Sequence, residues 1–380
     1  MILEITAVPY NEYHFGGGET YPWRLFQGLS KKTDVEFYVS SQDNENVSLN
    51  NLHRVSAHFV KAPPFLNEHN PIPSLAGLRQ IKQALLDDEV EFIHVHNLRT
   101  LSSTLWLLMS KLNKIGKYKV ILSDHGSRVF PFPSLMVRSV DYYAAVSNFS
   151  GKILNSYCRK PTFIIPPIIP NELFEKRSKE EKDIDLIMYG RIAPWKRQDI
   201  GIRVVEKLVS RGMKDIKVVI AGGSLDKQYL SRLRLMVRMK NLEKNIDFMT
   251  DLSKAVVVNT LSRSKLSLLL SWHSDLYGKK YKLPELSSAT ILEAAALGIP
   301  SIASKINAFG EVIRDGETGI LINPTRTDEV TDLIYKLLSN EEQINLMGDK
   351  ARYECKTNNS EENVVNKFLR CIIQIRNGVL

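Results

Sequence analysis

Three cysteines in 380 residues, Cys158, Cys355 and Cys371, are odd in number and scattered, and none sits in a CxxC or Cys/His spacing. Such a set excludes a disulfide framework and a cysteine-ligated metal site, and it fits a reducing compartment. No run of 18 or more apolar residues occurs, so a spanning helix is not expected. The opening Met1-Ile-Leu-Glu-Ile-Thr-Ala-Val places Glu4 where a secretory signal needs an unbroken apolar region, and the expectation is a cytoplasmic protein. The Asn-x-Ser/Thr matches at Asn46, Asn148 and Asn358 are then chance. G-x-G-x-x-G is absent as well, which sets aside a nicotinamide dehydrogenase.

What is present suits an α/β protein of two domains. The chain is 43% hydrophobic and 24% charged, and its length exceeds what one ordinary core occupies. Its 51 Lys and Arg against 42 Asp and Glu give a net charge of +9, which favours anionic partners without choosing among nucleic acid, acidic lipid and phosphorylated metabolites. The densest basic stretch, KQYLSRLRLMVRMKNLEK (Lys227 to Lys244), reads as a helix with Leu230, Leu233, Val237 and Leu242 inward and a solvated basic face.

Short β-branched runs alternate with amphipathic patterns, the signature of doubly wound parallel sheets. In the first half, Ile2 to Val8, Asp34 to Ser40, Glu91 to His96, Tyr118 to Ser123, Asp141 to Ser147 and Thr162 to Ile165 read as strands. Helices are expected over Glu19 to Lys31, Ser74 to Asp87, Thr100 to Leu112 and Asn148 to Ser156. Pro166 to Asp183, prolines followed by a charged run, reads as a linker. A second strand series follows at Ile184 to Gly190, Ile216 to Gly222, Leu266 to Ser271 and Pro300 to Ser304.

Ligands of such sheets sit beyond the carboxyl ends of the strands, and four motifs lie there. In NEYHFGGGET (Asn11 to Thr20), three glycines permit close backbone approach ahead of a helix N-terminus that can take an anion, although a flexible turn explains them equally well. SDHGSR places His125 just past a strand end; a lone loop histidine is more often structural, and His94 and His96 of the HVH run more often still. In GRIAPWKRQD (Gly190 to Asp199), Arg191 and Lys196 can both point at a diphosphate, with Arg197 a solvent-facing neighbour. In ELSSATILEAAALGIPSIAS (Glu285 to Ser304), Ser287 or Ser288 is a fitting N-cap and Gly298 with Pro300 a fitting stop, so a helix is expected over Ala289 to Leu297. Glu285 then lies ahead of that helix and Glu293 in its second turn, flanking the N–H groups of Ser288, Ala289 and Thr290. Hydroxyls, diphosphate and hydroxyls, the order in a nucleotide sugar, fit that order of groups.

At these residues the chain resembles the retaining glycosyltransferases of family 4, also called group 1, with the GT-B fold: two doubly wound Rossmann-like domains facing a central cleft. Its E-x7-E signature is met by Glu285 and Glu293, its G-R-x-x-x-x-K element by Gly190, Arg191 and Lys196, and its glycine-ended helix by Ala294 to Pro300. RDGETGILINP (Arg314 to Pro324) matches its late turn, and GGGE its N-terminal glycine loop. The resemblance implies an acceptor-binding domain over 1–168, a donor-binding domain over 169–358 and a helix over 359–380 that returns to the first. It assigns Glu285 to the donor sugar, Glu293 to ribose hydroxyls, Arg191 and Lys196 to the diphosphate, and His125 to the sugar from the other domain. Gly17, Gly18, Ser288, Ala289 and Thr290 complete the donor contacts. The resemblance also implies that the leaving phosphate takes the acceptor's proton, so neither a carboxylate base nor a metal or other cofactor is expected.

One departure stands out: the family continues its first glutamate with Gly-Phe-Gly, where this chain has Leu286, Ser287 and Ser288 after a long loop carrying His273, Lys279 and Lys280. The expected partners are a UDP-, GDP- or ADP-sugar donor and a glycan or lipid-linked acceptor. Peripheral contact with an anionic membrane at the inner face follows from the charge, and no nucleic acid is expected. Acceptor choice is placed in loops such as Pro63 to Pro73. The alternatives are a sugar-nucleotide epimerase of the same fold and a nonenzymatic nucleic-acid binder, which would need none of the four strand-end residues.

Overall fold

A computed structural model describes residues 1–6, 17–41, 56–61, 75–96, 106–110, 118–123, 125, 138–176, 182–224, 226–250 and 253–379. They gather into two compact units, one holding the chain up to Ile168 together with Glu361 onward, the other holding Ile169–Ser360. The expected loop Pro63 to Pro73 and the run 11–16 lie outside the described residues.

The first unit is built on a parallel sheet in the order β3-β2-β1-β4-β5-β6-β7. Its strands are β1 Ile2–Thr6, β2 Val35–Ser41, β3 Ser56–Lys61, β4 Phe92–His96, β5 Lys119–Ser123, β6 Tyr142–Ala145 and β7 Thr162–Ile164. Because side chains alternate across a strand, Leu3, Ile5, Ile93 and Val95 enter one core layer, while Ile2, Phe92 and Ile121 enter the other. That second layer is closed by helices Gly17–Ser30 and Glu361–Arg376, through Tyr21, Leu25, Phe26 and Leu29 on one and Val364, Val365, Phe368 and Ile372 on the other. Gly28 makes their approach feasible, since a Cβ there would stand 2.4 Å from Val365 Cγ2. Arg376 fastens the far end with two hydrogen bonds to the Glu91 carboxylate, at 2.8 and 2.7 Å.

The second unit has a parallel sheet in the order β10-β9-β8-β11-β12-β13. Here β8 is Ile184–Tyr189, β9 Val218–Ala221, β10 Ile246–Met249, β11 Ser264–Leu269, β12 Ser301–Ser304 and β13 Gly319–Ile322. Leu186 and Met188 face a layer with helices Gln198–Ser210 and Lys227–Met239, while Ile187 faces Leu292, Ala294 and Ala296 of helix Ala289–Ala296. The small residues of that helix have a packing reason: Gly348, on helix Glu341–Asn359, lies so close that a Cβ would stand 2.1 Å from Gly298 O.

Two expectations need correction. Strands β3, β10 and β13 do not stand out in the sequence, and all three are sheet edges, where burial on both faces no longer forces a continuous apolar run. Pro166 to Asp183 is not wholly a linker: Ile169 N–H donates to Asn359 O at 2.8 Å, and Leu173 and Phe174 of the short helix Asn171–Glu175 are buried in the second unit's core. Of the expected helix Thr100 to Leu112, the described portion, 106–110, is helical. No helix among the described residues is long and apolar enough to cross a membrane.

Candidate active site

The candidate site of the second unit starts from helix Ala289–Ala296. Ser288 is its N-cap, with Oγ accepting from Ile291 N–H at 3.2 Å and lying 3.1 Å from Thr290 Oγ1. That cap leaves the N–H groups of Ala289 and Thr290 as the exposed positive end of the helix. Glu285, ahead of the helix, is buried, and its backbone is fixed by Asn307 Nδ2, which donates to Glu285 O at 2.8 Å. One carboxylate oxygen, Oε1, receives both the Ser271 hydroxyl at 2.8 Å and Lys196 Nζ at 2.6 Å. Glu293 in the second turn is half-buried, and Tyr189 at the end of β8 donates its hydroxyl to Oε2 at 3.0 Å.

The loop after β8 brings the cations in. Gly190 has φ +131°, and a Cβ on it would touch Thr290 Cγ2 at 3.4 Å, so the turn lies against the start of the helix. Its carbonyl is pressed against Gly222, where a Cβ would stand 2.0 Å away; only glycine fits. Pro194–Lys196 then forms one 3-10 turn, held because Trp272 N–H donates to Trp195 O at 2.9 Å. The turn delivers Lys196 to Glu285 and leaves the Arg191 side chain exposed, with no ion-pair partner among the described residues. Arg197 corrects the expectation: it is not solvent-facing but buried, with φ 56°, and grips Asp199 through Nε and Nη2, each at 3.0 Å, and Ser274 O through Nη1 at 2.8 Å. A planar fork is needed for that three-point contact, which ties the 272–284 loop to the adjacent helix.

The remaining expected residues belong to the first unit. Gly17 and Gly18 are the first two residues of helix Gly17–Ser30, not part of a preceding loop. His125 is not alone: its Nε2 lies 2.9 Å from His96 Nδ1, and its ring packs on Tyr21 with centroids 4.3 Å apart. His96 Nε2 lies 2.6 Å from Glu4 Oε2, His94 Nδ1 3.0 Å from Glu4 Oε1, and His94 Nε2 2.8 Å from Ser123 Oγ. Register explains the meeting, since Glu4 is opposite His94 and His96 opposite Ser123, and the period of two puts all four on one face. Burial pushes the Glu4 carboxyl up, but the charge and hydrogen bonds of His94 and His96 outweigh it and hold it at about 2. Burial, aided by His94, lowers His96 to about 4 despite Glu4. Burial with His96 and His94 also holds His125 well below 6.5. Glu4, His94 and His96 have ligand-type atoms within 4.8 Å of one another, and each carboxylate oxygen of Glu4 also lies within hydrogen-bond distance of one imidazole nitrogen.

Tyr189, Ser271 and Asn307 were not evident as site residues from the sequence. Each follows or ends a strand, which is the only local signal they carry.

With this geometry in place, comparison with known proteins defines the class. The Glycosyltransferase Family 4 profile matches residues 15–173 and the Glycosyl transferases group 1 profile residues 170–354. The chain belongs to the family 4, or group 1, glycosyltransferases, enzymes that use nucleotide-sugar donors. It is similar to an uncharacterised glycosyltransferase of Methanocaldococcus jannaschii, 22% identical with 96% of each chain covered. It is also similar to the alpha-D-kanosaminyltransferase of Streptomyces kanamyceticus, 28% identical over 47% of this chain and 42% of that protein. Among solved structures, Anabaena HepE in complex with UDP superposes with a TM-score of 0.74 at 15% identity, covering 98% of this chain and 99% of that one. The sucrose-phosphate synthase of Thermosynechococcus elongatus gives 0.73, also at 15%, covering 99% of each chain. At that identity the two structures show the fold, two Rossmann-like domains.

Proposed function

We propose that the second unit binds the nucleotide-sugar donor, that the first binds the acceptor, and that transfer retains the anomeric configuration without a bound metal. The observation that carries this reading is the Lys196–Glu285 pair at 2.6 Å, beside a helix start whose N–H groups suit a diphosphate. Glu293, steadied by Tyr189, suits the two vicinal hydroxyls of a ribose. Arg191 and Lys196 would neutralise charge gathering on the leaving phosphate, the work a divalent ion does elsewhere. Asp183-Ile-Asp185, an Asp-x-Asp of the kind that can ligate a divalent ion, is tied up at the start of β8: Asp183 pairs with Arg263 and Asp185 with Lys265. The acceptor hydroxyl would attack on the face the phosphate leaves, which then takes the proton.

Thermal-shift measurements with UDP-, GDP- and ADP-sugars test the donor, because a ligand bound only by the folded state raises Tm. UDP-sugars are the first choice, since HepE was solved with UDP. Nucleotide release is expected to survive EDTA; loss on chelation and recovery with Mg²⁺ or Mn²⁺ would refute the metal-free reading. A lipid-linked acceptor, with peripheral contact on anionic membrane, is supported by the +9 charge and by helix Lys227–Met239, whose exposed Leu235 and Met239 lie among arginines. Flotation equally absent with neutral and anionic vesicles removes it.

A further inference from the structure

We propose that the hairpin 272–282 and the neighbouring Trp195 form a subsite for an acidic sugar, in which Trp195 and Tyr281 take the ring and Lys279, Lys280 and Lys282 take its carboxylate or phosphate group. The subsite lies wholly within the second unit, beside the Lys196–Glu285 pair. Its service to sugar transfer rests on the donor reading given above, whereas the binding itself does not.

The hairpin is shaped before any ligand arrives. Just beyond β11, the Ser271 hydroxyl on Glu285 Oε1 closes the base of the loop. Ser274 and Lys280 form an antiparallel bridge, His273 O accepts from Tyr281 N–H at 2.7 Å, and Gly278, with φ +81°, serves the turn between them. Asp275 is only 6% exposed and braces the hairpin from inside: Oδ1 accepts from the Tyr277 and Lys279 N–H groups at 2.8 and 3.0 Å, and Oδ2 from the Tyr281 hydroxyl at 2.9 Å. From outside, Arg197 Nη1 donates to Ser274 O, and Trp195 O accepts from Trp272 N–H. An element fixed at so many points loses little freedom when it binds.

It presents an aromatic corner with cations at its edge. The Trp195 and Tyr281 rings are both half-buried, with centroids 5.7 Å apart and planes inclined at 45°, and Lys279 Nζ stands 5.4 Å from the Tyr281 centroid. A pyranose has C–H groups on its faces and hydroxyls on its rim, so aromatic side chains with polar groups close by suit it. The charges decide which sugar. From 271 to 285 the chain carries three lysines and two carboxylates, of which Asp275 is used within the hairpin and Glu285 by Lys196 and Ser271. Lys279, Lys280 and Lys282 are all exposed and have no ion-pair partner among the described residues, whereas Arg211, Arg314 and Arg326 of the same unit are matched by Asp332, Glu354 and Glu329. Three cations so close in the chain repel one another, and an anionic group on the substrate relieves that repulsion where a neutral sugar does not.

The test uses the full-length protein carrying 5-fluorotryptophan, whose four tryptophans are assigned by substitution in ¹⁹F NMR. Methyl glucuronide, glucose 6-phosphate and methyl glucoside are titrated with and without UDP, and UDP-glucuronate is compared with UDP-glucose. The Trp195 resonance is expected to move, and an acidic sugar to saturate the shift at roughly 5- to 20-fold lower concentration than its neutral counterpart, the worth of one or two partly exposed charge-assisted contacts. That advantage should disappear in the triple variant Lys279→Gln, Lys280→Gln, Lys282→Gln, whose thermal melt checks that it is folded. Preference confined to the UDP-linked pair places the acid on the donor, and preference among the free sugars places it on the acceptor; both support the subsite. Equal response to acidic and neutral sugars, no movement of Trp195 with any of them, or an advantage that survives in the triple variant would each overturn it. A chain that answers free acidic sugars while no nucleotide raises its Tm defeats the donor reading and keeps the subsite. One that binds UDP without acidic preference does the reverse.

Discussion

Removing Lys196 tests whether the candidate site works as a unit. Its Nζ stands 2.6 Å from Glu285 Oε1, and the two side chains are only 18% and 10% exposed, so solvent screens the pair weakly. At an effective dielectric near 20, unit charges about 4 Å apart attract by roughly 4 kcal/mol, and desolvation takes back a large part of that. In Lys196→Ala the Glu285 carboxylate keeps the Ser271 hydroxyl but loses its cation, and folding stability should fall by about 1–3 kcal/mol. Turnover should fall by roughly 10²-fold or more, because the ammonium is lost where phosphate charge develops. Glu285→Gln should cost a similar factor. If Lys196 positions Glu285 and Glu285 positions Lys196, the double variant will be about as slow as the slower single, an interaction of roughly 2.7 kcal/mol in the cycle. Nucleotide release at saturating donor, measured beside thermal melts, gives both quantities. A double variant slower by about 10⁴-fold would refute the coupling and mean that each residue meets substrate independently.

Three further outcomes are expected. Tyr189→Phe leaves Glu293 Oε2 without its 3.0 Å donor and should raise donor KM about 2- to 10-fold with kcat little changed, whereas Glu293→Ala should raise KM more; donor saturation curves separate them. Arg197→Ala strands a fully buried Asp199 and should cost about 3–5 kcal/mol in urea unfolding, far more than an exposed arginine would. Acidification should destabilise the fold in two stages. A histidine depressed from 6.5 to about 4 binds its proton more readily unfolded, so His96 withdraws stability as pH falls between those values. A carboxyl held at about 2 against 4.5 does the same as pH falls between those values, so Glu4 adds its loss below pH 4.5. Urea midpoints from pH 8 to pH 3 in wild type and His96→Gln check this, and an unaltered profile in the variant would contradict it.

The parts legible in the sequence were those governed by local rules. Helix Ala289–Ala296 announces itself by a serine cap at Ser288 and the Gly298 and Pro300 stop, and the central strands by apolar runs that burial on both faces demands. Arg197 could not be read, because its left-handed backbone and its grip on Ser274, 77 residues away, are products of the folded loop. The Glu4, His94, His96 and His125 chain was likewise hidden. His94 and Glu4 are 90 residues apart, and only the register of parallel strands joins them. Glu4 in particular sits in an apolar strand, where it served only to argue against a signal sequence. Ile169 to Phe174 misled for the opposite reason: prolines beside a charged run imitate a linker, and the buried Leu173 and Phe174 are too few to show a core-forming pattern.

That the helix Glu361–Arg376 completes the first unit bears on how the protein is made. A ribosome releases the strands of that unit first, yet the Tyr21, Leu25, Phe26 and Leu29 face stays uncovered until Ile169–Ser360 has been synthesised, an interval of roughly 10–40 s at bacterial or eukaryotic rates. During it the nascent chain displays an apolar surface that chaperones would recognise. A message that ends early therefore yields a product lacking more than a tail: Phe26 and Leu29 lose Val364, Val365 and Phe368 as neighbours, and truncated chains should be removed by proteolysis instead of accumulating as folded half-enzymes.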